Sequence, residues 1–153
     1  HELVYHEELT DRLLSGEAFP LGDSQMVLIE FEAGVSYPVM FRQLRSLLNA
    51  GYKPVVAHVE RYDALKTKEN IIELKENGCR MQVNYQSITG DSVIGQDALF
   101  QGFFSPDVRR VRSLIKEGLI DLYGTDMHRT DYRPPVIAKS LAWLEKNGIS
   151  DFK

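Results

Sequence analysis

Short apolar runs that stop abruptly at a charged or imidazole side chain, with helix-length amphipathic segments between them, are what most constrains this chain. Met26-Val27-Leu28-Ile29 ends in Glu30. Val55-Val56-Ala57, opened by Lys53-Pro54, ends in His58-Val59-Glu60-Arg61. Leu119-Ile120-Asp121-Leu122-Tyr123 leads to Asp126 and His128. Such runs, bounded by turn residues, read as buried strands. Met81 to Asn84 is a shorter one, which makes four strands.

Between them lie helices. Val39 to Asn49 spaces Val39, Met40, Leu44, Leu47 and Leu48 on one helical face before Gly51, and Thr67 to Asn77 does so with Ile71, Ile72 and Leu74. Ser105-Pro106-Asp107 is an N-cap with proline in the first turn, opening a helix through Val108, Val111, Leu114 and Ile115 to Gly118. Glu7 to Ser15 and Pro135 to Asn147 read as the first and last helices. Strands that alternate with helices make βαβ units, hence an α/β fold with a parallel sheet or barrel. Four strands are few for a closed barrel, so a partial (β/α) barrel with outer helices is expected, as one domain over residues 1–153. In such folds the carboxyl ends of the strands line the functional face.

Composition narrows the class of function. A net charge of −4, without a dense Lys/Arg cluster, argues against nucleic-acid binding. No apolar run approaches the roughly 18 residues of a membrane span, so no membrane insertion is expected. The lone Cys79 excludes an internal disulfide framework and reads as a small buried hydrophobe at a strand start. No Cys-x5-Arg loop follows it, which excludes a thiol-based phosphatase, and no Gly-x4-Gly-Lys phosphate loop is present.

Several residues could carry chemistry. In an extended segment Asp126 and His128 point the same way, so carboxylate and imidazole could hold Mn, Fe or Zn; Gly124-Thr125-Asp126 is equally turn chemistry. His58 alone could be a core histidine or a ligand. Arg61 three residues on favours the second, because a guanidinium beside a metal ligand suits phosphate. Glu30 needs either a metal or a structural ion pair to offset desolvation. Arg133, before Pro134-Pro135, is a second phosphate candidate or a solvated loop arginine. Periodicity says nothing about Glu2, which only His1 precedes.

Glu2-Leu3-Val4-Tyr5, Leu28-Ile29-Glu30-Phe31, Ala57-His58-Val59-Glu60-Arg61-Tyr62, Gln82-Val83-Asn84, Asp126-Met127-His128 and Arg133-Pro134-Pro135, in that order, are together specific. The chain resembles the metal-dependent bacterial protein-tyrosine phosphatases of capsule and exopolysaccharide loci, within the polymerase-and-histidinol-phosphatase (PHP) superfamily. The resemblance implies a distorted β/α barrel of the PHP type with up to three metal ions, Mn first and Fe, Mg or Zn as alternatives. It implies that Glu2 bridges two metals, that Glu30 and His58 bind one of them, and that Asp126 and His128 complete the ligands found here. Arg61 and Arg133 are implied as the catalytic, phosphate-holding arginines. The implied substrate and partner is the phosphotyrosine tail of a bacterial tyrosine kinase, in the cytoplasm. Another PHP phosphoesterase, of histidinol-phosphate type, or a phosphate-binding module without a working cluster are the rival readings.

The family's His-x-His pair precedes the glutamate that Glu2 matches and is not among these residues. The chain is therefore expected to be the C-terminal portion of the full domain, with fewer metals and negligible activity of its own. It is also expected to pair with a second copy through an open sheet edge. Glu2, so near a chain end, is expected to be poorly held.

Overall fold

The computed structural model describes residues 2–22, 24–90, 106–125 and 137–149. It divides into two compact units, His1–Gln82 and Val83–Lys153.

In the first unit the order is β1 (Leu3–Val4), α1 (Leu9–Ser15), β2 (Met26–Glu30), α2 (Tyr37–Asn49), β3 (Lys53–Val56), two single 3-10 turns (Val59–Arg61 and Asp63–Leu65), α3 (Lys68–Glu76) and β4 (Arg80–Asn84). The strands lie in the order β1-β2-β3-β4. All three pairings are parallel: Leu3 lies beside Ile29, Leu28 beside Val55, and Val56 beside Met81. Sequential order with parallel neighbours is singly wound, as in a barrel wall, whereas a doubly wound sheet reverses its order partway. Right-handed crossovers then put the connecting helices on one face of the sheet. The α/β reading is borne out.

The core forms between those helices and the sheet. Val27 and Ile29 of β2, Val56 of β3, Met40, Leu44 and Leu47 of α2, and Ile71 and Leu74 of α3 are all buried. Each such side chain contributes about 1.5–3 kcal/mol relative to exposure. Cys79 is buried at the entry to β4, and desolvation pushes its thiol up to about 12, as expected of a structural cysteine.

The second unit contains the end of β4, then α4 (Tyr85–Thr89), α5 (Pro106–Lys116), β5 (Leu122–Gly124) and α6 (Ala138–Lys146). Helix α4 packs on α5 and α6. Buried Ser140 of α6 donates to the Tyr85 carbonyl at 2.5 Å, and the Arg112 Nε donates to the Ile88 carbonyl at 2.8 Å. The Arg112 guanidinium also lies 5.0 Å from the centre of the Trp143 ring.

The structure corrects several boundaries. There are five strands among the described residues, not four, because two-residue β1 is too short to show a period. Helix α2 starts at Tyr37 rather than Val39, since Pro38 fits its first turn. Strand β5 is confined to Leu122–Gly124, and α4 is a helix that its flanking Gly90 obscured.

Candidate metal centre

Strand alternation decides which side chains can meet. In β2, Val27 and Ile29 are buried on one face while Leu28 and Glu30 occupy the other. The β1–β2 register, extended back one residue from Leu3 and Ile29, puts Glu2 beside Leu28 and so on the face of Glu30. Contrary to the expectation of a loose terminus, the strand after Glu2 is tied down: Tyr5 donates its amide to the Glu30 carbonyl at 2.8 Å, beyond the Leu3–Ile29 and Val4–Glu30 pairs. Those ladder contacts override the fraying that chain ends otherwise show.

His58 needs a different device. Val56 is aligned with Ile29, so continued alternation would send His58 to the face opposite Glu30. Instead the ladder ends at Ala57, whose amide donates to the Ile29 carbonyl at 2.9 Å. His58 then takes φ 36° and ψ 57°, making it the sole non-glycine residue with positive φ among the described residues. Left-handed backbone of this kind costs of order 1–3 kcal/mol and concentrates at functional sites. Here it breaks the alternation and starts the 3-10 turn, in which the Arg61 amide donates to the His58 carbonyl at 2.9 Å.

The result is a compact cluster. The His58 ring, fully buried, sits between two carboxylates, with Nδ1 3.6 Å from Glu2 Oε1 and Nε2 3.1 Å from Glu30 Oε1. An Arg61 guanidinium nitrogen is 3.9 Å from the same Glu30 oxygen. Tyr62, almost wholly buried, stacks near the imidazole at 6.5 Å between centroids and packs edge-on against Phe31, which stacks on Tyr5. The Tyr62 hydroxyl accepts the Phe31 amide at 3.0 Å, which anchors the residue after Glu30. Burial, reinforced by the Glu30 charge, pushes its phenol up to about 12.

The donor set fits a divalent cation. Neither ring nitrogen of His58 makes a well-aligned hydrogen bond, although both are buried and each faces a carboxylate oxygen. Buried polar atoms are rarely left so, and an ion is one of the standard reasons. Two donors on one ion, each at about 2.0–2.2 Å, lie at most about 4.4 Å apart. One donor atom each from Glu2, Glu30 and His58 lies within 4.8 Å of the others, so side-chain shifts of a few tenths of an ångström bring all three within that span. Two carboxylates and an imidazole suit Mn, Fe or Zn.

Of the residues singled out from sequence, Glu2, Glu30, His58 and Arg61 come together here. Asp126, His128 and Arg133 lie outside the described residues. Sequence reasoning gave no role to Tyr62 or Gln82. The available signal was a polar side chain between Met81 and Val83, since Gln82 is almost wholly buried in β4 and its side-chain oxygen accepts the His58 amide at 2.6 Å.

Two carboxylates and a buried imidazole at one face of a parallel sheet, with a guanidinium beside them, define a candidate divalent-metal centre on an α/β scaffold. The chain belongs to the CpsB/CapC family of capsular polysaccharide synthesis, whose model matches residues 1–152. It is 32% identical over 146 residues to the tyrosine-protein phosphatase CpsB of Streptococcus pneumoniae, covering 95% of this chain and 58% of that protein. With CpsB of Streptococcus agalactiae serotype V it shares 33% over 140 residues, 91% of this chain and 55% of that one. The chain thus spans just over half the length of these curated relatives. Its fold is shared with a solved chain from crystal structures of YwqE from Bacillus subtilis and CpsB from S. pneumoniae, described as unique metal-dependent tyrosine phosphatases. The TM-score is 0.80 at 24% identity, over 99% of this chain and 57% of that one.

Proposed function

We propose that this chain is part of a metal-dependent protein-tyrosine phosphatase that regulates capsule or exopolysaccharide synthesis, acting in the cytoplasm on the phosphorylated tail of a tyrosine kinase. The carrying observation is the buried His58 ring, held between Glu2 and Glu30 with neither nitrogen in a well-aligned hydrogen bond. The relatives' names support the reaction class. Among the described residues no helix is long and apolar enough to cross a membrane.

Glu2, Glu30 and His58 would hold the ion, with Asp126 and His128 as further ligands and Mn as the first choice of metal. A divalent ion bound there supplies Lewis-acid charge and an activated water. The remaining work falls to the chain's own groups. Arg61, beside Glu30 and substantially exposed, is placed to bind phosphoryl oxygens and to stabilise charge that builds on them. Arg133 is assigned the same task. Tyr62 packs beside the His58 ring, with Phe31 and Tyr5 in succession behind it, and so steadies the imidazole.

The test is release of phosphate from a phosphotyrosine peptide and from histidinol phosphate by the whole protein carrying this chain, with Mn²⁺ and after chelation. Mn²⁺-dependent turnover on the peptide, lost in His58→Ala, is expected. Preference for histidinol phosphate would move the assignment to the other PHP phosphoesterases. Phosphopeptide binding without turnover would make the protein a binding module.

A further inference from the structure

We propose that Gln82 is a positioning residue for the metal centre: its side-chain carbonyl holds His58 in the left-handed backbone that turns the imidazole onto the two glutamates. This rests on reading Glu2, Glu30 and His58 as a divalent-metal site.

The geometry assigns the task to Gln82. Its register neighbour is found by extending the β3–β4 pairs, Val55 with Arg80 and Val56 with Met81, by one residue to Ala57. Ala57, one step past Val56, faces the same side as Val55, Leu28 and Glu30. Gln82 therefore stands on the face of the cluster, beside the last residue of the β3 ladder. The next amide, that of His58, is buried, and the bend in the chain removes it from the ladder. The Gln82 Oε1 accepts that amide at 2.6 Å. A side chain thus supplies the acceptor where the backbone can no longer do so.

Two consequences follow from holding this one amide. The ring of His58 is kept facing Glu30 and Glu2 rather than following Val56 to the other face of the sheet. The 3-10 turn that begins at His58 also keeps its entry geometry, and this turn carries Arg61 to within 3.9 Å of Glu30. Without the acceptor, the buried amide would be drawn toward extended backbone and the strained conformer would lose its main support. Gln82 acts through His58 and needs no contact with metal or substrate.

The test measures Mn²⁺ affinity by calorimetry and exchange of the His58 amide by NMR, in wild type, Gln82→Met and Gln82→Glu. Methionine keeps the length and removes the strong acceptor; glutamate retains an acceptor oxygen. Gln82→Met is expected to weaken Mn²⁺ binding about 10-fold, the lower end for residues that orient a metal ligand, and to speed His58 amide exchange by a similar factor. Gln82→Glu is expected to restore both to within about threefold of wild type. Leu74→Ala, which opens the core at α3, should lower Tm while leaving Mn²⁺ affinity within about twofold of wild type.

Wild-type affinity in Gln82→Met, whether or not the amide stays protected, would overturn the proposal. Loss of affinity in Leu74→Ala as large as in Gln82→Met would also overturn it, by making the effect one of general stability. Should Gln82→Met not fold, a folded Gln82→Glu with a fast-exchanging His58 amide or 10-fold weaker Mn²⁺ binding would count against it equally. If wild type itself binds no Mn²⁺, the metal reading has failed on its own account. The amide exchange rates then decide whether Gln82 holds His58: acceleration in Gln82→Met supports this, and an unchanged rate refutes it.

Discussion

Replacing Tyr62 with phenylalanine removes one oxygen and isolates one hydrogen bond at the floor of the site. That oxygen accepts the Phe31 amide at 3.0 Å, and the Tyr62 side chain is 1% exposed, so water cannot take its place. A buried donor left without an acceptor costs about 1–3 kcal/mol. The ring itself remains, with its edge contact to Phe31 and its stacking near His58, so no cavity term is added. For a chain of 153 residues this corresponds to a Tm lower by about 2–12 °C, at roughly 2–4 °C per kcal/mol. The assay is urea unfolding followed by circular dichroism, where the midpoint should fall while the slope stays constant. Because the Phe31 amide adjoins Glu30, its exchange with solvent should also quicken. A midpoint within about 0.5 kcal/mol of wild type, with Phe31 still protected, would show that the bond contributes nothing and that the end of β2 is held by other means.

Arg61→Ala, in the whole protein, should lower kcat/KM on phosphotyrosine peptide by about 10- to 150-fold, the loss of a charge-assisted contact of roughly 1.5–3 kcal/mol, with metal content unchanged on elemental analysis. Loss of metal in that variant would make Arg61 a structural partner of Glu30 instead. Cys79, buried with its thiol pushed up to about 12, should resist a thiol reagent in the native protein and react on unfolding; rapid native labelling would contradict its burial. Tyr62 and Cys79 both have folded values raised above their ordinary 10.0 and 9.0. Their contribution to stability is therefore full below about pH 9 and lost as pH rises through 9–12, which urea midpoints across that range would show.

The α/β order was legible because Met26 to Ile29 and Val55 to Ala57 are unbroken apolar runs, and because Leu44, Leu47, Ile71 and Leu74 recur at helical spacing between them. Glu30 was legible as the residue that ends such a run. Strand β1 was not, since two residues carry no period, and with it went the placement of Glu2 beside Leu28. His58 was legible as a ligand type but not in its conformation. Nothing in Ala57-His58-Val59 announces left-handed backbone, which arises from a bond to a glutamine 24 residues on. The anchoring of Phe31 by Tyr62 was hidden likewise, being a contact between two elements 31 residues apart. Local pattern encodes which face is buried; the bonds that aim particular side chains across it are tertiary.

The most direct measurement is anomalous diffraction from crystals of the protein grown with Mn²⁺. A peak bounded by Glu2, Glu30 and His58 is expected, at about 2.0–2.2 Å from a ring nitrogen and from carboxylate oxygens. Occupancy should disappear in His58→Ala crystals. The absence of a peak there at saturating Mn²⁺, with the His58 ring hydrogen-bonded to the two glutamates, would contradict it and leave a structural ion pair in place of a metal centre.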